Sequence, residues 1–107
     1  ILEVTAPRIP CGTLAKRMKD SKFPERFRAA ERPGLYCRVI REGTIRSAEA
    51  VKLERFVGPI VPAIELFRSF YRNGEESAET LRWHLSAPIA IRARDQKENQ
   101  LGKLARQ

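Results

Sequence analysis

The chain has 107 residues, 21 Lys/Arg against 13 Asp/Glu, and a formal net charge of +8, with 42% apolar and 32% charged residues. That length suits one folded unit plus an appendage, and the composition excludes global disorder. No apolar run approaches the roughly 18 residues a membrane helix requires, and no signal peptide opens the chain, so no membrane partner is expected and a cytoplasmic home is the default.

The charge is unevenly spread. Residues 1–56 hold 13 basic against 7 acidic side chains, and residues 57–107 hold 8 against 6. A basic first segment points to an anionic partner: a nucleic acid, an acidic lipid surface or a phosphorylated small molecule. A DNA-reading helix set would carry the basic excess itself, so nucleic acid is disfavoured.

Ile1-Leu2-Glu3-Val4-Thr5 has strand composition but no preceding turn or cap, so the chain reads as a fragment. Pro7 and Pro10 then hold Thr5-Ala6-Pro7-Arg8-Ile9-Pro10-Cys11 near extended geometry. Gly12 to Met18 reads as a short helix, which sets Cys11 at its first turn with Arg8, Lys16 and Arg17 nearby. Both features favour thiolate over thiol.

Asp20-Ser21-Lys22 marks a break, and Pro24 to Glu31 resumes helix with proline in the tolerated first turn. Arg32-Pro33-Gly34 turns the chain into the strand Leu35 to Arg41. Alternation places Leu35, Cys37 and Val39 on one face, where Cys37 is expected in the core, and Tyr36, Arg38 and Ile40 on the other. After a tight turn at Glu42-Gly43, Thr44-Ile45-Arg46 and Val51 to Phe56 read as further strands.

Val57-Gly58-Pro59-Ile60-Val61-Pro62 is a joint between domains at 1–57 and 58–107. Ile60, Ile64, Phe67 and Tyr71 follow at helical spacing, Asn73-Gly74 is a stop, and Ala78, Leu81 and Leu85 predict a second helix. Pro88 opens a third segment with a thin apolar stripe, whose middle from Arg92 to Gln100 is expected to be solvated or loosely ordered. His84 reads as a helix-surface or interhelix residue, since one histidine and two separated cysteines give no zinc spacing. A Cys11–Cys37 disulfide is disfavoured in a reducing compartment. No serine-histidine-acid set or carboxylate pair can be assembled.

Taken together, Val4-Thr5-Ala6-Pro7-Arg8-Ile9-Pro10-Cys11, Gly34-Leu35-Tyr36-Cys37-Arg38-Val39 and Glu42-Gly43-Thr44-Ile45 resemble the MOSC domain, named for the C-terminal domain of molybdenum-cofactor sulfurase. The order and spacing resemble the bacterial hydroxylaminopurine-resistance type, in which a β-barrel precedes a small three-helix domain. The resemblance implies an α+β fold: the C-terminal half of a MOSC β-barrel, which could not close by itself, followed by three helices. It further implies a molybdenum cofactor (molybdopterin), with pyridoxal phosphate disfavoured. Cys11 would be the catalytic residue and molybdenum ligand, or a persulfide carrier, and Arg8 and Arg38 would orient the cysteine loop or contact the anionic cofactor.

The activity implied for the whole protein is reduction of an N-hydroxylated base or similar small molecule, with an electron-donor reductase as partner. In the sulfur-carrier version the partner is a cysteine desulfurase. A nucleic-acid-binding module is the alternative from another class. The family's glycine-aspartate turn is replaced here by Ser47-Ala48-Glu49-Ala50, so that turn is expected to be looser or differently hydrogen-bonded. Pocket-lining residues that would set the substrate are not evident, and nothing in the sequence fixes an oligomeric state.

Overall fold

The computed structural model describes residues 1–72 and 74–107. Among these described residues, two strands and five helices follow in the order β1 (Leu2–Pro7), α1 (Gly12–Arg17), α2 (Phe23–Ala30), β2 (Leu35–Val39), α3 (Ala63–Tyr71), α4 (Ala78–Ser86) and α5 (Ile91–Ala105). The architecture is mixed helix and strand, with one two-stranded antiparallel sheet among the described residues.

β1 and β2 pair Leu2 with Val39, Glu3 with Arg38 and Val4 with Cys37, then Ala6 with Tyr36 and Pro7 with Leu35. The register slips between Val4 and Ala6, which leaves Thr5 as a bulged residue. A bulge re-aims the backbone it interrupts. Here the Thr5 carbonyl accepts the N–H of Ala90 at 3.1 Å. The ribbon is thereby fastened to the start of α5.

No barrel closes among the described residues, and two expected strands are absent. Thr44-Ile45-Arg46 and Val51 to Phe56 run as chain without a ladder, with Ile45 79%, Val51 91% and Leu53 89% exposed. Alternating β-branched composition records fitness for a pleated, half-buried surface; without a neighbouring strand the ladder hydrogen bonds go to water instead. In the Ser47–Ala50 turn the Glu49 carboxylate accepts the Arg46 N–H at 2.9 Å. Ala48 sits there at φ +62°, a left-handed conformation that favours glycine.

Proline and capping set the helix bounds. α2 begins with Pro24 in its first turn and ends at Glu31 in left-handed geometry. α3 starts only after Pro62, so Ile60 lies outside the helix expected to contain it. Of the expected stop, Gly74 has φ +86° and Asn73 lies outside the described residues. Ser77 caps α4 by accepting the Thr80 N–H at 3.1 Å, and Pro88 follows its end.

The core sits among α3, α4 and the start of α5. Phe67 and Leu81 are 1% and 0% exposed, and Ala87 and Ile89 are buried beside them. Aromatic rings extend this core toward α2: Phe27 lies 6.3 Å from Phe67, which meets Tyr71 edge-on at 5.3 Å. Arg28 stacks over Tyr71 at 4.1 Å, and Arg68 holds Glu31 through two hydrogen bonds of 2.5 and 3.1 Å. The cation over the ring and the forked ion pair fix α2 to α3.

α5 departs from expectation in part: Arg92, Asp95, Gln96, Glu98 and Asn99 are exposed, in line with a solvated middle, but the segment is not loosely ordered. Its middle is regular helix, because charged side chains supply contacts that the thin apolar stripe does not. Arg94 donates to the carbonyls of Leu85 and Ala87 at 3.1 and 2.7 Å, closing the end of α4, and Lys97 is buried. Among the described residues, no helix is long and apolar enough to cross a membrane.

Candidate functional site

Cys11 occupies the N-cap of α1 in extended backbone (φ −143°, ψ 177°), and its side chain is exposed. Pro10 before it and Gly12 after it explain the position: an extended approach meets a helix that starts at once. The sulfur makes no ordinary capping hydrogen bond, yet the amides of Leu14 and Thr13 point toward it. These backbone donors, then the Thr13 hydroxyl and more weakly the Arg8 charge, hold the thiol below its usual range against a small opposing effect of burial.

Arg8 anchors this approach through its backbone, whose N–H donates to Gly34 O at 2.7 Å. Its side chain passes over Gly34 and is solvent-exposed. Arg38 lies elsewhere. It stands opposite Glu3 in the ribbon, pairs with that carboxylate at 3.2 Å, and donates to Ile89 O at 3.2 Å. The structure therefore places Arg8 with Cys11, whereas the Arg38 fork is engaged at the junction of ribbon and helices.

Cys37, expected in the core, is exposed, as are Leu35 and Val39 on the same face. Alternation identifies residues that share a face but not what covers it. A two-stranded ribbon leaves that face open.

Cys11 borders a cleft of about 860 Å³ that runs between the Pro7–Cys11 stretch, α3 and α5. Tyr36, Leu66 and Phe70 supply apolar wall, while Ser69, Lys97 and Lys103 are among its polar lining. Beneath it lies a buried polar chain. Lys97 Nζ donates to Ser69 Oγ at 2.9 Å, Ser69 Oγ donates to Glu76 Oε1 at 2.5 Å, and Arg72 Nε donates to the same oxygen at 2.9 Å. Arg72 also pairs with Glu65, whose Oε1 lies 3.0 Å from His84 Nε2.

Burial pushes Lys97 down, more than the carboxylates Glu76 and Glu65 restore, and Arg72 adds to the lowering. His84 is fully buried; desolvation lowers it, Lys97 adds to this, and the two glutamates oppose. For Glu76, burial acts upward but is outweighed by the Ser69 hydroxyl, Arg72 and Lys97, leaving a net lowering. His84 Nδ1 is buried without a partner among the described residues.

None of this network was assigned a role from sequence. A signal was present: Ile89, Ala93, Lys97 and Leu101 recur every four residues, so Lys97 interrupts an apolar stripe. A lysine at such a position is either a break in the core or a buried cation with partners.

Residues 1–52 match the family model of the MOSC domain. The match spans just under half of the chain and includes β1, Cys11 and β2. No curated protein and no solved structure matches the chain. MOSC domains are associated with molybdenum-cofactor binding, and the donor set can be tested against that group. Among the described residues no three His, Cys, Asp or Glu side chains are grouped to hold a metal. A metal at Cys11 would therefore take one soft thiolate from this chain and its other ligands from the cofactor. An exposed, low-pKa thiol on a cleft with cationic lining fits that demand.

Proposed function

We propose that this chain is part of a molybdenum-cofactor-binding MOSC protein in which Cys11 is the metal ligand. The observation that carries the reading is the coincidence of an exposed, acid-shifted thiol with the border of the cleft, inside the segment that matches the MOSC model. The Leu14 and Thr13 amides lower the thiol's pKa and so shift it toward its ligating form, and Arg8 adds positive charge beside it. Tyr36 and Phe70 offer the cofactor or substrate an apolar wall. When bound, the cofactor supplies a redox-active metal able to exchange oxygen and electron pairs.

In the finer reading, the protein is of the hydroxylaminopurine-resistance type, residues 1–57 belong to a MOSC barrel and residues 58–107 form its helical domain. Its substrate is an N-hydroxylated base or similar compound and its electrons come from a reductase partner. Metal analysis and X-ray absorption on the cofactor-loaded whole protein test the assignment. The expected result is loss of a metal–sulfur contribution and of activity in Cys11→Ala. Full molybdenum content and activity in that variant would overturn it.

The exposure of Cys11 favours one second reading, a persulfide carrier, because an accessible thiolate is also the form that accepts sulfur. Mass spectrometry after incubation with a cysteine desulfurase separates the two. A one-sulfur adduct on Cys11 favours the carrier, and bound metal favours the reductase.

A further inference from the structure

α5 lays one face along the cleft. Arg92, Gln96, Gln100 and Lys103 line it at steps of four, four and three residues, so they form a single stripe about 16 Å long at the helical rise. Lys97 lies beside this stripe and is only 9% exposed. An ammonium has three N–H donors, and one goes to Ser69. Among the described residues, the sole carboxylate lining the cleft, Glu76, is already held by Ser69 and Arg72. Three cations thus line the cleft against one occupied carboxylate, with the amides of Gln96 and Gln100 between them.

We propose that Lys97 anchors an oxyanion subsite in this cleft, taking the phosphate of a phosphorylated small molecule whose remainder lies along Phe70 and Tyr36 toward Cys11. A buried ammonium gives such an anion a charge-assisted hydrogen bond in a medium less polar than water. Gln96 and Gln100 supply further N–H donors, and Arg92 and Lys103 raise the local potential. The volume of about 860 Å³ is within the range of small-molecule sites. The orientation toward Cys11 rests on the cofactor-site reading; the anion subsite does not.

The test is an NMR titration of the 107-residue chain, labelled at lysine, with inorganic phosphate at constant ionic strength. The expected result is a saturable shift of the Lys97 ε-methylene signal, with a dissociation constant near or below about 1 mM. Lys97→Met is expected to weaken binding at least about tenfold, while Lys97→Arg retains most of it. Cys11→Ser should leave it unchanged, which separates this subsite from the assignment of the thiol.

No saturable shift at Lys97, or an equal shift at the exposed Lys52, overturns the proposal, and so does unchanged affinity in Lys97→Met. The parent titration decides alone if Lys97→Met does not fold. Repeating it on cofactor-loaded protein distinguishes the source. Lost binding means the cofactor's own phosphate fills the subsite, and retained binding means the subsite serves a phosphorylated substrate.

Discussion

Ala90 donates its N–H to the carbonyl of Thr5 at 3.1 Å, across the bulge that takes Thr5 out of register with β2. One irregular residue in the ribbon thereby sets where α5 begins, and hence where the lining of the cleft stands relative to Cys11. Arg38 reinforces the junction by bonding Ile89 O, the neighbouring carbonyl.

Ala90→Pro tests this fastening. The backbone of Ala90, at φ −56°, suits proline, so the change removes the donor and sets a ring carbon against the Thr5 oxygen without straining its own φ. Thr5 is buried, so its carbonyl is left poorly satisfied. The expected cost is about 1–3 kcal/mol, read as a lower denaturation midpoint.

Cys11 should alkylate as a low-pKa thiol. In a Cys37→Ser background, the rate of iodoacetamide reaction plotted against pH is expected to inflect below the usual thiol value of 9.0. Thr13→Ala and Arg8→Gln should each move the inflection upward, since each removes a group that favours the thiolate. An inflection at or above 9.0 in the parent chain would contradict the electrostatic description of the site.

Stability should depend on pH through the buried chain. His84 has a folded pKa below its ordinary 6.5, so the unfolded chain binds more protons once pH falls below that value, and stability declines from there toward the folded pKa. Glu76, lowered from 4.5, adds a second decline as pH falls from that value through its folded pKa. Lys97, lowered from 10.5, acts at the other end: stability gains as pH rises from its folded pKa toward 10.5. Chemical denaturation across pH should show the first decline disappear in a folded His84→Gln variant.

Two neighbouring phenylalanines should behave differently. Phe67 is 1% exposed at the meeting of α2 and α3, so Phe67→Ala is expected to cost about 3–5 kcal/mol. Phe70 is 56% exposed on the cleft, and Phe70→Ala should cost less than about 1.5 kcal/mol while altering the wall available to a ligand. Paired urea melts compare them.

The elements legible in sequence were those with locally complete signals. β1 and β2 read correctly, as did the proline-led start of α2 and the helical spacing of Ala78, Leu81 and Leu85 in α4. Cys11 at the head of a short helix was likewise readable from Pro10 and Gly12. What failed depended on distant partners. Val51 to Phe56 has strand alternation but no strand beside it, Cys37 has apolar neighbours but no layer above them, and α5 replaces a hydrophobic stripe with Arg94 and Lys97 contacts. Local pattern states what a segment could satisfy; only tertiary placement states what does so.

The exposed chain from Glu42 to Pro62, with Val51 and Val57 91% and 96% accessible, has a practical consequence. A protease given brief access should nick there first, since neither ladder nor core protects it. The two pieces would remain clasped by Thr5 with Ala90, Arg38 with Ile89, and Glu31 with Arg68. Separately produced halves of the chain, divided within that stretch, are therefore suited to noncovalent reconstitution, with Cys11 supplied by one piece and Lys97 by the other.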